Sequence, residues 1–309
     1  MEKNELNKNA RGGTELMQER LYSSLPADLL DNFQIIPSRV RELDPNKKKI
    51  LWLHDLPHDP ESEHLKDPLQ RKRFDKIVCV SDWQLQLYNL VSGVSYGESI
   101  VLKNAIHPIQ LESKPYDGTI NLIYHTTPHR GLEILVPVFE ELANRHSDIH
   151  LDVYSSFSIY GWEQRDEPYG LIFDRCRSHP QITYHGAVSN DEVREALKKS
   201  HIYAYPNIWP ETSCLSVIEA MSAMNLVVCP NYAALPETCS NFAMMYPWNE
   251  NKNVHAVQFA HTLEAAINVI RKNNGKPDPY LDFQKNYFDY FYNWDKRKGE
   301  WEALLRSLL

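Results

Sequence analysis

The sequence predicts an α/β protein with two successive blocks of parallel strands. Three observations carry this. Short apolar runs alternate with longer amphipathic stretches along the 309 residues, the pattern of strands connected by helices. Several runs, such as K-I-L-W-L at 49–53, are apolar at consecutive positions, as in strands covered by helices on both faces of a parallel sheet. The runs also fall into two groups, divided by a linker that follows Leu102 and extends through Gly118. A chain of this length accommodates two domains. The expected organisation is 1–107, 108–280 and a helical tail, 281–309.

Residues 1–10 are polar and read as a frayed end. Arg11-Gly12-Gly13-Thr14-Glu15 opens a helical pattern that continues to Leu25. Paired glycines ahead of a helix let a ligand approach the main chain closely, although an ordinary turn and cap explains them equally. Residues 33–36 form a short strand and 49–53 a central one. The latter runs into His54-Asp55-Leu56-Pro57-His58-Asp59-Pro60, and loops at strand carboxyl ends are where open α/β sheets bind ligands. Two His-Asp pairs raise a metal site, but the prolines break any helix that would bring both imidazoles to one face. Arg71-Lys72-Arg73 closes a helix, where positive charge suits the dipole. Residues 76–80 form the next strand, Ser81 or Asp82 caps the helix after it, and 100–102 end the first block.

The second block starts at 120–124 (I-N-L-I-Y) and passes through His125-Thr126-Thr127-Pro128-His129-Arg130-Gly131-Leu132 into a helix. Arg130 stands near that helix start, an unfavourable place for a cation unless an anion sits there. Its guanidinium can fork two phosphate oxygens. Strand 150–154 leads into an aromatic loop, 155–169, in which Tyr160-Gly161-Trp162 reads as packed. Strand 182–185 precedes Gly186, and 190–200 is an amphipathic helix. Strand 202–205 follows, then 226–229, then the loop Ala234-Leu235-Pro236-Glu237. A long helix covers 254–273, and 280–309 is helical and aromatic.

Composition narrows the function. The net charge is −8 and no long basic block occurs, which argues against nucleic acid as a partner. Five cysteines without regular spacing read as reduced thiols in a cytoplasmic setting. No apolar run reaches the roughly 18–20 residues that span a bilayer. The polar N-terminus does not read as a signal peptide. Peripheral contact with a membrane needs only a surface patch and stays open.

The most informative stretch is Pro206 to Glu219, P-N-I-W-P-E-T-S-C-L-S-V-I-E, with Glu211 and Glu219 eight positions apart. A helix capped by Thr212 or Ser213 and running over 215–224 places Glu219 in its second turn. Its N-terminus offers main-chain N–H groups and a positive dipole end above the preceding strand, an arrangement suited to a diphosphate. Spacing alone favours the plainer explanation of two acids on a dipole-friendly face.

The flanks change that balance. With H-G-A-V-S-N-D-E-V-R-E-A-L at 185–197, E-A-M-S-A at 219–223 and V-V-C-P-N-Y-A-A-L-P-E at 227–237, the stretch resembles the E-x7-E signature of the retaining glycosyltransferases of family 4. The match covers most of the second half of the chain. The resemblance implies a GT-B fold: two Rossmann-like domains whose parallel sheets face across a cleft, with a last helix crossing back onto the first. The first domain is expected to be reduced, because the strand that usually precedes the glycine loop is missing. The implied reaction moves a sugar from a nucleotide-diphosphate sugar to a glycan, lipid-linked or protein acceptor, with retention and with neither metal nor cofactor. Three residues are implied to be catalytic: His54 on the reacting face, Glu211 beside the transferred sugar and Arg130 on the diphosphate. Glu219 is implied to take the ribose hydroxyls, and the N–H groups of Ser213, Cys214 and Leu215 the diphosphate. Thr127 stands beside the diphosphate, Gly12 and Gly13 near the sugar, and Gly186 where the nucleotide approaches. The chain departs from the family pattern in places. The early Arg of the diphosphate loop is absent, with His125 nearest to it. Ala105 and Met224-Asn225 stand where glycine is common.

Two competing readings follow. A sugar-nucleotide epimerase shares the architecture but lacks the P-E-T-S-C-L-S-V-I-E run. A degenerate relative that keeps only nucleotide or glycan binding would fit the missing strand and the absent Arg. Neither the base, the sugar, the acceptor nor the oligomeric state is legible in the sequence.

Overall fold

The computed structural model describes residues 12–276 and 278–309. The expectations for residues 1–10 and for Arg11 lie outside them. The described chain is α/β with two separate, wholly parallel sheets, and it divides into two compact units. The first holds Gly13–His107, Glu211–Leu215 and Tyr290–Leu309; the second holds Gly12, Pro108–Pro210 and Ser216–Asp289. The tail expected as one piece from 281 is therefore shared, the first unit resuming at Tyr290.

The first unit runs α1 (Gly13–Ser24), α2 (Ala27–Leu30), β1 (Phe33–Pro37), β2 (Lys48–Leu53), α3 (Pro68–Arg71), β3 (Lys76–Cys79), α4 (Asp82–Ser92) and β4 (Ser99–Val101). Its strands pair in simple sequential order, β1-β2-β3-β4. Among the described residues no strand precedes Phe33. Alternation along β2 serves two cores at once. Ile50 and Trp52 join Met17, Leu21, Ile35, Val78, Trp301 and Leu305 on one face. Leu51 and Leu53 join Leu65, Ile77, Cys79 and Tyr88 on the other. Ser81 caps α4 by accepting the N–H of Gln84. Arg71 has a different role from the one its position suggested. α3 is a single turn, and the guanidinium is buried, donating at 2.9 Å to both Leu65 O and Ser92 O.

The second unit contains β5 (Ile120–Tyr124), α5 (Leu132–Ala143), β6 (Ile149–Val153), α6 (Gly170–Ser178), β7 (Ile182–Tyr184), α7 (Asn190–Lys199), β8 (Ile202–Ala204), α8 (Leu215–Ser222), β9 (Leu226–Pro230), α9 (Leu235–Cys239), β10 (Met244–Tyr246), α10 (Lys252–Lys272) and α11 (Pro279–Phe291). Its sheet order is β10-β9-β8-β5-β6-β7. The chain thus builds outward from β5 to β7, returns to the other side of β5, and builds outward again from β8 to β10. Two lysines, Lys114 buried and Lys285 partly buried, fasten the linker to this unit. Lys114 donates to Leu197 O and Ser200 O at the end of α7, and Lys285 to Ile109 O and Ser222 O at the end of α8. Ammonium groups at helix carboxyl ends satisfy carbonyls that the helix itself leaves over. The last helix, α12 (Trp294–Leu308), belongs to the first unit. Its Trp294, Trp301, Leu304 and Leu305 lie in the core that holds Met17 and Trp52.

Candidate functional site

A reversal of strand order in an open parallel sheet opens a crevice at the strand carboxyl ends. Only the six-stranded sheet has one, between β5 and β8. The loop after β5 is the 125–131 segment, and the loop after β8 is the start of the Pro206–Glu219 stretch. The two loops touch. Gly131 has φ +124°, and a Cβ there would lie 2.1 Å from Pro206 O. Any side chain would force these loops apart, so glycine is a geometric requirement here.

Beneath the crevice the strand ends are aromatic. Tyr124, Tyr203 and Tyr205 are fully buried, with the last two rings stacked at 5.2 Å. Tyr124 donates its hydroxyl to Thr127 O at 2.9 Å, which shapes the loop after β5. Tyr203 donates to Ser216 Oγ at 3.0 Å and so ties β8 to α8. The His125 ring lies 4.6 Å from that of Tyr203, and burial pushes its pKa down to about 3. Its Nε2 and the buried Thr127 Oγ1 have no hydrogen-bond partner among the described residues. Arg130 ends a 3₁₀ turn, Pro128–Arg130, immediately before Gly131 and α5.

Glu219 is in the second turn of α8, as its spacing predicted, and is 3% exposed. Sequence reading missed what it touches. Arg194 donates to Oε1 at 3.1 Å and Asn190 to Oε2 at 3.0 Å, both from α7. The two donors are four positions apart and so share a helix face. That spacing, on the same stripe of α7 as the apolar Val193 and Leu197, was the available signal. A carboxylate has about four acceptor positions, so Glu219 keeps acceptor capacity after these two bonds. Gly186 has φ +70°, and a Cβ built on it meets nothing within 4 Å.

Gly12 falls in the second unit and the remaining candidates in the first, so the E-x7-E pair is divided between units. Glu211 and Cys214 are buried there, at 5% and 3% exposure. α8 begins at Leu215, as the sequence suggested, and ends at Ser222. Thr212 is occupied elsewhere, donating its hydroxyl to His54 O at 2.8 Å. Gly13 faces Leu215; a Cβ at position 13 would come within 3.2 Å of Leu215 Cδ1. That glycine makes room for a side chain of its own unit.

His54 stands directly after β2. Its N–H donates to Ser38 Oγ at 2.7 Å, as does the N–H of Asp55 at 3.2 Å. Gln84 Nε2 and Tyr88 Oη donate to Asp55 O. Ser38 itself is strained, with φ +56°, the sort of cost that persists only where surrounding bonds over-determine a conformation. The main chain at His54 is thus clamped from β1, α4 and the 211–215 segment. The imidazole packs on Trp52 at 4.6 Å, burial pushes its pKa down to about 3, and its Nε2 has no partner among the described residues. Burial raises the Asp55 carboxyl, Asp59 adds to that, and Arg39 and Ser38 pull it back. Among the described residues no three His, Cys, Asp or Glu side chains are grouped to hold a metal ion. Nor is any helix long and apolar enough to cross a membrane.

Comparison with known proteins gives the following. A family model described as glycosyl transferases group 1 matches residues 111–280. No curated protein matches the sequence. Among solved structures, a glycosyltransferase from Rickettsia africae ESF-5 is similar over 99% of this chain and 84% of its own, with a TM-score of 0.69 and 16% identity. Anabaena Alr3699/HepE in complex with UDP-glucose is similar over 84% of this chain and 72% of its own (TM-score 0.66, 12% identity). The pneumococcal O-GlcNAc transferase GtfA in complex with UDP and GlcNAc is similar over 85% of this chain but 53% of its own (TM-score 0.59, 11% identity). At these identities the likeness is one of fold, the GT-B class of paired parallel-sheet domains.

Proposed function

The chain belongs to the glycosyl transferases group 1 family, and from that premise we propose that it moves a sugar from a nucleotide-diphosphate sugar to a glycan, lipid-linked or protein hydroxyl, with retention. One observation carries the reading furthest. The matched segment contains the one sheet, among the described residues, whose strand order reverses, and the 125–131 loop lies at that reversal, locked against Pro206 by Gly131.

The chemistry asks little covalent work of the protein. A departing nucleoside diphosphate needs its developing charge stabilised by groups already in place. Arg130 supplies a guanidinium, and the main-chain N–H groups of 213–215 open α8 with its positive dipole end. These would do the electrostatic work elsewhere done by a divalent ion, so activity is expected to survive EDTA. Glu219 receives the ribose hydroxyls on the acceptor positions that Arg194 and Asn190 leave over. Glu211 contacts the transferred sugar. His54, neutral at physiological pH, presents Nε2 to the reacting face, and Thr127 Oγ1 is available beside the diphosphate.

The test is a panel of UDP-, GDP-, ADP- and CDP-sugars, scored for release of the nucleoside diphosphate with EDTA present. UDP-sugars head the panel, since two of the similar structures hold UDP or UDP-glucose. Release from one class is the expected result. Tight diphosphate binding without release from any sugar would instead support a degenerate binding protein, and absence of both would sink the donor site altogether.

A further inference from the structure

Three loops of the six-stranded sheet bring together three rings that no residue role above employs. His129 follows β5, Phe157 follows β6 and Trp209 follows β8, and these strands are neighbours in the sheet. His129 stacks on Phe157 with centroids 5.2 Å apart and planes at 17°. Trp209 meets His129 edge-on at 4.9 Å and 85°. His129 Nδ1 is buried and has no hydrogen-bond partner among the described residues. Burial, then Arg130 and Arg165, push the pKa of this imidazole down to about 3, so it is a neutral ring at physiological pH.

Trp209 is 43% exposed. A single exposed apolar side chain is ordinary, but this one is held with unusual care. Asn207, fully buried, accepts the Trp209 N–H at 2.9 Å and donates its amide to Trp209 O at 2.6 Å. Pro210 follows and restricts the chain further. The indole is therefore presented in one orientation, braced by His129 and Phe157, with much of its surface left to water. A rigid aromatic ring is an efficient binding element, because little side-chain entropy is lost when a ligand covers it.

We propose that Trp209, braced by His129 and Phe157, is the stacking platform for the pyranose ring of the donor sugar. This rests on the donor reading above. There the diphosphate is assigned to Arg130, the residue next to His129, and Trp209 meets the His129 ring edge-on. Its exposed surface therefore adjoins the loop assigned to the diphosphate, the group to which the sugar is joined. A pyranose suits it: one face presents C–H groups to an aromatic surface, while the hydroxyls around the rim remain available for polar contacts.

Calorimetry on the intact protein separates the sugar from the rest of the donor. Each protein binds the nucleoside diphosphate and its sugar conjugate selected by the panel, for instance UDP against UDP-glucose. Trp209→Ala weakens the conjugate roughly tenfold, about 1.4 kcal/mol, and leaves the diphosphate within about twofold. Trp209→Phe keeps most of the conjugate's affinity. Unchanged affinity for the conjugate in Trp209→Ala overturns the proposal. So does an equal loss for both ligands, which would make the cluster a scaffold for the diphosphate loop. A wild-type protein that binds no nucleoside diphosphate removes the donor reading itself, and this inference with it.

Discussion

Each unit has a central parallel strand that runs into a histidine, His54 after β2 and His125 after β5. Both rings are held near pKa 3 by burial, both pack on an aromatic neighbour, and both have an Nε2 without a partner among the described residues. They differ in what surrounds them. The first sheet is built in sequence, β1 to β4, so β2 lies between strands from the same run of the chain. The second reverses beside β5, and the loop carrying His125 also carries Thr127, Arg130 and the glycine that contacts Pro206. Side chains clamp the main chain at His54, whereas at the loop after β5 it is His125 Nε2 and Thr127 Oγ1 that have no hydrogen-bond partner among the described residues. A buried neutral histidine thus marks a strand end in both units, but strand order decides which end is shaped for an anion. The two proposed roles match this difference: donor binding in the second unit, and a fixed, neutral imidazole in the first.

The largest expected effect tests the second unit's own framework. Arg194 compensates Glu219, whose side chain is 4% exposed. Removing one partner of a buried ion pair strands the other charge and costs about 3–5 kcal/mol. Arg194→Ala is expected to lose that much stability in denaturant unfolding. Arg194→Ala with Glu219→Gln is expected to recover part of it, since no charge is then stranded. Near-additive losses in this double-mutant cycle would mean the pair is not coupled.

Next comes the asymmetry in anion binding. Arg130→Ala is expected to cost about 2–4 kcal/mol of transition-state stabilisation, read from kcat/KM, with the thermal midpoint little changed. Ser38→Ala, which removes the hydroxyl that accepts the His54 N–H, is expected to lower turnover through His54 without changing the affinity for a nucleoside diphosphate. Weaker diphosphate binding in Ser38→Ala would erase the contrast between the units.

Much of this was readable in the sequence, and what was not has physical reasons. The centrality of β2 was visible because K-I-L-W-L is apolar at consecutive positions, and both its faces are indeed buried. Ser81 was a local cap and behaved as one. The start of α8 at Leu215 was legible, but Thr212, a good cap residue by propensity, gives its hydroxyl to a long-range bond to His54 O. Local preference lost to tertiary structure. Arg71 misled in the same way, since a basic residue near a helix end can be a dipole partner or, as here, a buried tie between loops. Strand order is not encoded in any one run, so the reversal beside β5 and the contact of Gly131 with Pro206 needed coordinates. Arg194 was overlooked because α7 scans as an ordinary amphipathic helix, and nothing local says that its polar face meets Glu219.

The smallest expected effect concerns acid. An unfolded histidine titrates near 6.5, whereas burial holds His54 and His125 near 3 in the folded protein. Below about pH 6.5 the unfolded chain therefore binds protons that the folded chain refuses, and stability falls as pH falls. The contribution is complete above pH 6.5 and declines toward pH 3. His129 and His201, held near 3 and 4 by burial, act with the same sign. The salt-bridged carboxylates Asp148 and Glu264, held below their ordinary values chiefly by hydrogen bonds from Arg271 and His146, add their losses only at lower pH. Between pH 7.5 and 5 the histidines act beside Asp55, raised by burial, and Lys114, lowered by burial, so the slope of the thermal midpoint is read as a difference from the histidine variants. His54→Gln and His125→Gln should each flatten that slope. If His54→Gln flattens it more, the clamped loop after β2 resists protonation better than the loop at the reversal, as their hydrogen bonding predicts. Equal slopes in all three proteins would mean that both rings reach water before the protein unfolds, and the neutral imidazole assigned to each unit would have to be withdrawn.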